Sequence, residues 1–396
     1  MIVIELGSMV ADICNVIRSY GGKLFFRNRI RFLFLGCMIV VILHFFGIFI
    51  HPFEVSFDHF EYPLMLKNLP QIIEDHINGM NSSTVNPINF YHHNYLISND
   101  EKCLKRSTYD SVPKTSDQRR EYDEEIFLTF VIKSALMHNA SRLVIRNTWA
   151  SEERFSDVKT RRVFIVGDCK KSLPYDEAIE CDKMIRKESS QYKDIVQADF
   201  IDTYYNNTIK TMIGMRWVVD HCPRSQFLFF VDDDFYVSPK NLLKFIRDPL
   251  SGLEPSSKLS MSNKVPRLDD RLYGGYVFPN SSPMRHRTSK WYIPLSEYPY
   301  TKYPPYVSAG AYVLSLRALQ EMYYASFYTK HFRFDDIYVG ILANKISLNP
   351  LHNRYFYFWK KPYDPLEYSN VIASHGFDNP YELVKIYLDQ KSRGNA

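Results

Sequence analysis

The stretch FLFFVDDDFYV, residues 227–237, decides the fold class of this chain. Its first five residues are apolar and rich in aromatic side chains, a pattern typical of a buried strand in an α/β sheet. Three carboxylates follow at once, Asp232, Asp233 and Asp234. Because open α/β sheets bind ligands at the carboxyl ends of their strands, we expect this triplet to border a binding site.

The triplet also predicts a metal site. Three adjacent negative charges repel one another, and a divalent cation relieves that repulsion. Oxygen ligands suit hard ions such as Mg²⁺ and Mn²⁺. A short Asp-x-Asp pattern is by itself more often a solvated acidic turn. The apolar strand in front of the triplet is what favours a metal site here.

The N-terminal part contains an apolar run, FLFLGCMIVVILHFFGIFI, residues 32–50, interrupted only by His44. Its length is close to the roughly 20 residues that a helix needs to cross a bilayer. We predict an uncleaved anchor rather than a signal peptide, because no clear small-residue cleavage site follows before Pro52. Residues 1–31 hold five basic side chains and two acidic ones, so they carry +3 of the total net charge of +5. The positive-inside rule therefore places residues 1–31 in the cytosol. The rest of the chain carries a net charge of only +2, which does not indicate nucleic-acid binding.

Sequons and cysteines agree with a lumenal location beyond residue 50. Four acceptor sequons follow the apolar run, and the four cysteines beyond it are even in number, which allows two disulfides in three connectivities. The sequence does not choose among these connectivities. The sequons are at Asn81, Asn139, Asn206 and Asn280, and the cysteines are Cys103, Cys169, Cys181 and Cys222.

The rest of the chain predicts an α/β domain. Residues 51–120 mix Pro, Asn, Ser and charge without a period, which is typical of a stem or linker. Regular structure is expected to begin at Ile126 with the strand IFLTFVIKS. Strands then alternate with helices, which favours a mixed, mainly parallel sheet. We therefore divide the chain into a cytosolic tail at 1–31, an anchor at 32–50, a stem at 51–120 and a lumenal catalytic domain at 121–396.

Two further acids, Asp335 and Asp336, begin the segment DDIYVGILANKI. Its apolar residues recur at helical spacing, so we predict a helix that starts at the acids. Carboxylates at a helix start are favoured by its dipole and its free N–H groups, which help to keep them ionised. Capping of the helix alone would explain both acids.

Taken together, these segments resemble the β1,3-galactosyltransferase family, glycosyltransferase family 31. The resemblance covers roughly residues 126–390 and rests on six blocks in family-like order. The blocks are IKSALMHNASRLVIRNTWA at 132–150, YKDIVQADFIDTYYNNTIKT at 192–211, VDDDFYV at 231–237, KWYIPLSEYPYTKYPPYVSAGAYVLS at 290–315, DDIYVG at 335–340 and VIASHGF at 371–377.

The resemblance implies a GT-A type α/β domain that binds a UDP-sugar and Mn²⁺. It assigns Asp234 and His375 to the metal and Asp336 to catalysis, as the base that accepts the proton of the acceptor hydroxyl. It places Trp291 and Asp335 near the donor or acceptor. The donor-binding candidates are Asp232, Asp233, Arg146, Lys210 and Gly310; Arg146 could equally anchor its helix, and Gly310 could equally serve tight strand packing.

Departures from the family pattern limit this transfer of roles. Val307 stands where many members have Cys, and Ala309 and Ala311 replace glycines beside Gly310. Ala150 replaces the Gly that follows Trp149. Without the cysteine, a family disulfide at position 307 is in doubt. The alanine side chains leave less room in the turn around Gly310.

The resemblance implies an inverting transfer of galactose from UDP-galactose in β1,3 linkage to a glycan of a glycoprotein or glycolipid. It also implies a single-pass type II protein of the Golgi membrane. Transfer of N-acetylglucosamine is the same-class alternative, and a non-catalytic chaperone or glycan-binding relative is the other. A homodimer is kept open. A calcium-dependent adhesion domain would need further acidic loops, which the sequence does not show.

Overall fold

The computed structural model describes residues 26–62, 66, 68–80, 85–89, 91, 93–104, 126–250 and 271–396. The chain divides into two compact units. The smaller comprises Met1–Phe60 and Ser282–Lys302, and the larger comprises Glu61–Ser281 and Tyr303–Ala396.

Arg285 organises the smaller unit, in which helix α1 (Phe26–Phe45) precedes short 3-10 turns at His51–Phe53 and Phe57–His59. The buried guanidinium of Arg285 donates to Oε1 of Glu54 at 2.7 Å. It also donates to the carbonyl oxygens of Ile293, Tyr298 and Tyr300. In the part of the chain that the structure describes, no helix has the length and apolar character that a membrane crossing requires.

An eight-stranded mixed sheet forms the centre of the larger unit, with strand order β1-β4-β3-β2-β5-β8-β7-β9. Four of its seven neighbouring pairs are parallel and three are antiparallel. The predicted mixed α/β sheet is thereby confirmed. The strands are β1 (Tyr95–Ile97), β2 (Ile126–Lys133), β3 (Lys159–Val166), β4 (Ile195–Ala198), β5 (Phe227–Asp232), β6 (Tyr236–Val237), β7 (Tyr273–Phe278), β8 (Tyr306–Ser315), β9 (Leu351–His352), β10 (Phe356–Tyr357) and β11 (Ala373–Ser374).

Strands β2 and β5 lie side by side at the middle of this sheet. Apart from Phe127, which is partly buried, their apolar residues are buried, as the two apolar runs predict. The parallel register pairs Val131 with Phe230 and Lys133 with Asp232. This register aligns the carboxyl ends of both strands, so polar groups from each meet at one edge of the sheet.

Helices cover the sheet, and a second, three-stranded sheet has the order β10-β11-β6. Gly214 allows one helix to approach closely, because a Cβ there would lie 3.0 Å from Cγ1 of Val131. The α-helices after α1 are α2 (Leu69–Ile77), α3 (Asn139–Asn147), α4 (Cys169–Ser172), α5 (Tyr175–Tyr192), α6 (Asn207–His221), α7 (Pro239–Arg247), α8 (Leu316–Ser326), α9 (Asp335–Lys345) and α10 (Pro380–Ser392).

Regular structure begins earlier than Ile126, so that prediction is wrong. Helix α2 and strand β1 both lie within residues 51–120, and β1 pairs with β4 at the edge of the large sheet. A three-residue strand is too short to show a period, which is why the sequence did not reveal it. The two disulfides join Cys103 to Cys222 and Cys169 to Cys181.

Candidate active site

Lys133, the last residue of β2, lies between two carboxylates at the carboxyl edge of the sheet. Its Nζ is 3.0 Å from Oδ1 of Asp232 and 2.8 Å from Oδ2 of Asp335. Burial lowers the pKa of Lys133, but the negative charges of Asp232 and Asp335 outweigh burial and leave the pKa raised. The ammonium group is therefore charged and holds the end of β5 to the start of α9.

Sequence reasoning missed Lys133. The available signal was a single lysine at the end of the strand IFLTFVIK, where an otherwise apolar strand reaches the ligand-binding edge of the sheet. Asp335 is buried beside it and also accepts a hydrogen bond from Oγ1 of Thr211 at 3.0 Å. Asp335 thus positions Lys133, and its place near the donor or acceptor stays a prediction.

Asp233 is the best-bonded carboxylate of the triplet. Its Oδ2 accepts from Oγ of Ser134 at 2.6 Å and from the backbone N–H of Ala135 at 3.2 Å. Nδ1 of His138 lies 3.0 Å from the same oxygen. Burial raises the pKa of Asp233, but the hydrogen bond and charge of His138 and the Ser134 hydroxyl outweigh it and lower the pKa. These contacts hold the loop after β2 in place. Whether Asp233 also contacts the donor is not decided by them, and that role stays a prediction.

Asp234 and His375 are brought together, although 141 positions separate them, because β6 pairs antiparallel with β11. Oδ2 of Asp234 lies 3.0 Å from Nε2 of His375. The hydrogen bond to Asp234 raises the pKa of His375. A backbone bond from the N–H of Phe377 to the carbonyl oxygen of Asp234, 2.7 Å long, fixes the same junction.

This pair fits a divalent cation of the Mn²⁺ type. The second carboxylate oxygen of Asp234, Oδ1, is buried and has no hydrogen-bond partner among the described residues, which is costly unless another ligand is supplied. One carboxylate and one imidazole suit Mn²⁺ better than Ca²⁺. Among the described residues no group of three or more His, Cys, Asp or Glu side chains is placed to hold a metal.

Asp336 is the second residue of helix α9, directly after Asp335, and its side chain is partly exposed. Burial and the neighbouring charge of Asp335 raise the pKa of Asp336 to about 7. The backbone N–H of Ile337 donates to Oδ1 of Asp336 at 2.8 Å and opposes this rise. The helix start does favour the ionised form, as expected, but burial beside a second carboxylate outweighs this effect and leaves the pKa of Asp336 raised.

Arg146 and Lys210 are bound to protein groups. Arg146 makes two hydrogen bonds to Asp194, of 2.9 and 2.7 Å, and a third contact of 2.7 Å to Oε1 of Glu188. Nζ of Lys210 lies 2.6 Å from Oδ1 of Asp202 and donates to the carbonyl oxygen of Ser134 at 2.8 Å. These contacts support the anchoring interpretation of Arg146 rather than phosphate binding.

Gly310 lies within strand β8 and admits an aromatic ring. A Cβ at this position would be 2.5 Å from Cζ of Phe235, so the packing interpretation of this glycine holds. The ring of Phe235 in turn packs edge-on against the His375 ring, with centroids 5.1 Å apart. Gly310 therefore leaves room for the Phe235 ring that packs against His375.

The remaining predicted residues are Trp291 and the sequon asparagines. Trp291 belongs to the smaller unit and about half of its side chain is exposed. Its role stays a prediction. Among the sequons, Asn139 and Asn280 are exposed, Asn206 is partly exposed, and Asn81 lies outside the described residues.

The geometry is that of an α/β enzyme with an acidic site at the carboxyl edge of its sheet, and sequence comparison gives the family. The family model described as galactosyltransferase matches residues 140–354, more than half of the chain. The chain belongs to this galactosyltransferase family and is a glycosyltransferase. The resemblance inferred from the six blocks is confirmed.

Two curated relatives show how far the similarity extends. The chain is 38% identical over 376 residues to "Beta-1,3-galactosyltransferase brn" of Drosophila melanogaster, covering 93% of this chain and all of the relative. It is 32% identical to "Beta-1,3-galactosyltransferase 1" of Homo sapiens, covering 78% of this chain and 81% of the relative. Among solved structures, the bifunctional glycosyltransferase WbbM matches 68% of this chain and 45% of its own at 13% identity, with a TM-score of 0.28, too low to support an argument.

Proposed function

We propose that this enzyme transfers galactose from UDP-galactose in β1,3 linkage to a glycan of a glycoprotein or glycolipid, with inversion, on a GT-A type domain. The names of the two relatives support the linkage and the sugar. The observation that carries the proposal is the double contact of Lys133. Through Asp232 on one side and Asp335 on the other, Lys133 connects the acidic triplet to the start of α9, and so to Asp336.

Asp336 is the base in this proposal. The acceptor hydroxyl gives its proton to the Asp336 carboxylate while its oxygen bonds to C1 of galactose. The bond from C1 to the β-phosphate oxygen breaks, and its electron pair leaves with UDP. A carboxylate with a pKa near neutrality is well suited, because a large fraction is ionised near neutral pH and the group is still basic enough to accept a proton.

Asp234 and His375 are the residues that would hold Mn²⁺. The ion, when bound, supplies Lewis-acid stabilisation of the negative charge that develops on the leaving diphosphate. Phe235 and the β6–β11 pairing keep the two ligands in contact. The unpartnered Oδ1 of Asp234 is the feature of this chain that supports a metal at this position.

We place the protein in the Golgi membrane as a single-pass type II protein with its anchor at residues 32–50. The apolar run, the basic residues before it and the sequons after it support this orientation. Exposed Asn139 and Asn280 should then carry glycans, which an endoglycosidase mobility shift would detect. The proposal includes a homodimer, and light scattering of the full chain would measure its oligomeric state.

A donor panel tests the proposed function directly. The full chain in detergent is assayed with UDP-galactose, UDP-N-acetylglucosamine and UDP-glucose, with Mn²⁺ or with chelator. We expect Mn²⁺-dependent transfer of galactose. If N-acetylglucosamine is the sugar mainly transferred, the donor is UDP-N-acetylglucosamine and the galactose assignment is wrong. Absence of transfer from all donors would favour the non-catalytic alternative. The full chain is needed because β1 and Cys103 precede residue 121 and belong to the larger unit.

Two variants separate the proposed roles. Asp234→Asn should lose both transfer and Mn²⁺-dependent UDP binding. Asp336→Asn should lose transfer by a factor of about 10²–10⁴ and keep UDP binding. Asp157→Asn is a matched control, because this carboxylate is exposed at 69% and pairs only loosely with Arg247. Wild-type turnover in Asp336→Asn would rule out its role as the base.

A further inference from the structure

Four aromatic side chains of the larger unit pack into one patch, which we call the aromatic platform: Tyr276, Phe278, Phe358 and Trp359. The ring centroid of Phe358 lies 4.7 Å from that of Tyr276, 4.8 Å from that of Phe278 and 4.7 Å from that of Trp359. Phe358 and Trp359 are 39% and 42% exposed. Single exposed apolar side chains are common, whereas a contiguous exposed aromatic patch indicates a binding surface.

The platform is connected to the part of the candidate active site that contains the proposed base, Asp336. Tyr306 stacks on Phe278, with centroids 5.2 Å apart and ring planes at 27°. The same tyrosine packs against Gly340, where a Cβ would lie 2.4 Å from Cβ of Tyr306. Gly340 is one helical turn after Asp336 and so lies on the same face of α9. The face of α9 that carries Asp336 is therefore linked to the platform by the contacts of Gly340 with Tyr306 and of Tyr306 with Phe278.

The metal side reaches the platform as well. The backbone N–H of His375 donates to the carbonyl oxygen of Tyr357 at 3.1 Å. Tyr357 is the last residue of β10, and Phe358 and Trp359 follow it directly. The ring of Tyr357 lies 5.2 Å from that of Trp359. The exposed aromatics are thus attached to the backbone that positions the metal-binding histidine.

We propose that the aromatic platform binds a pyranose ring of the acceptor glycan, the sugar next to the one that receives galactose. A pyranose presents an apolar face of C–H groups that packs on an aromatic ring, while its hydroxyls stay in water. Continuity with Asp336 favours the acceptor over the donor as occupant, since the acceptor hydroxyl must reach this base. This assignment rests on the proposed function. It adds that the enzyme prefers acceptors long enough to place a second sugar on the platform.

Steady-state kinetics on the full chain test the platform. The acceptors are methyl β-glycosides of N-acetylglucosamine, N-acetylgalactosamine and mannose, and the β1,4-linked disaccharides of each with glucose. Trp359→Ala should raise the KM for the preferred disaccharide at least about fivefold, as for a truncated aromatic contact. The KM for UDP-galactose and for the monosaccharide should stay within about twofold, since neither occupies the platform.

Controls distinguish binding from packing. Trp359→Phe should recover most of the disaccharide KM, because it restores a ring. Tyr175→Ala removes an aromatic side chain that is 81% exposed at the start of α5, outside the platform, and should change no constant. A wild-type disaccharide KM in both Trp359→Ala and Phe358→Ala would overturn the proposal. An equal rise in the KM of all substrates would also overturn it, because it would indicate a structural role.

The platform and the proposed function fail in different ways. If the wild-type chain transfers no sugar, the proposed function fails, and saturation-transfer NMR of the disaccharides decides on the platform. Signals present with wild type and lost with Trp359→Ala would support the platform as a glycan-binding surface. Absence of signals with wild type would overturn it.

Discussion

Nζ of Lys133 lies 2.8 Å from Oδ2 of Asp335, a contact that joins the central strand β2 to the first turn of α9, which also carries the proposed base Asp336. The lysine is 4% exposed and also contacts Asp232 at 3.0 Å. One buried cation thus balances two carboxylates from different elements. Removing the cation leaves two negative charges without compensation.

We expect Lys133→Met to lower the free energy of unfolding by about 3–5 kcal/mol, because breaking one side of a buried ion pair leaves an uncompensated charge. It should also raise the pKa of Asp336 further, since the charge of Lys133 lowers that pKa in the wild type. Denaturant unfolding and the pH dependence of kcat measure the two effects. Lys183→Met, at an exposed pair with Glu180, should change neither.

A second prediction concerns the pH dependence of turnover. Asp336 has a pKa of about 7, set by burial and Asp335 and moderated by the N–H of Ile337 and the cation Lys133. Tyr306 and Tyr273 face it from β8 and β7 as neutral phenols, because burial and the charge of Asp336 raise the pKa of Tyr306 to about 12 and burial raises that of Tyr273 as well. The base must be ionised, so kcat should fall as pH drops below about 7. A flat profile between pH 5.5 and pH 8 would contradict the assignment.

The same pKa has a consequence for stability. A carboxyl whose folded pKa is raised binds its proton more tightly in the folded state, so folding is disfavoured as pH rises from about 4 to 7. The penalty is fully present above pH 7. Asp336→Asn removes it, so the melting temperature of this variant should exceed that of the wild type at pH 8 and approach it near pH 4. Thermal scans at both pH values measure the difference.

The sequence predicted the features that depend on local pattern. The apolar run before the triplet gave β5, and acids before helical spacing gave α9. Strand β1 was missed because three residues show no periodicity. The role of Lys133 was missed because its partners come from distant parts of the chain, and only the register of β2 against β5 brings them together. Tertiary pairing, rather than propensity, decided these contacts.

In the candidate site too, the sequence predicted some residues correctly, whereas the surroundings of others depend on tertiary contacts. Resemblance placed Asp234 and His375 together, and β6–β11 pairing does bring them into contact. It also gave Gly310 and Arg146 as donor-binding candidates, whereas their surroundings are protein groups. The letters of a motif do not distinguish a residue that contacts substrate from one that supports such a residue. Burial and hydrogen-bond partners do.

Gly310→Ala tests the support that Phe235 gives to Asp234 and His375, the proposed metal ligands. The added methyl group would meet the Phe235 ring at 2.5 Å, so the ring must move. Overpacking of this kind costs typically about 1–3 kcal/mol of stability. Because Phe235 contacts the His375 ring, Mn²⁺-dependent UDP binding measured by calorimetry should weaken. Combining Gly310→Ala with Phe235→Leu should recover it, and no recovery would point to a direct role of Gly310 at the donor.

Arg146 offers the sharpest test between an anchor and a phosphate ligand. Its guanidinium bonds Asp194 and Glu188 and stacks 4.7 Å from Phe164 and 4.1 Å from Tyr192. Asp194 is fully buried, so Arg146→Met leaves a buried carboxylate with fewer partners. We expect the free energy of unfolding to fall by about 3–5 kcal/mol.

The folded fraction of Arg146→Met should keep the wild-type KM for UDP-galactose, because no donor contact is lost. Denaturant unfolding and donor kinetics at a temperature below the transition separate the two quantities. Arg186→Met, whose exposed pair with Asp182 contributes little, should leave both unchanged. A donor KM raised tenfold or more at unchanged stability would show instead that Arg146 binds phosphate, and the anchoring interpretation would have to be abandoned.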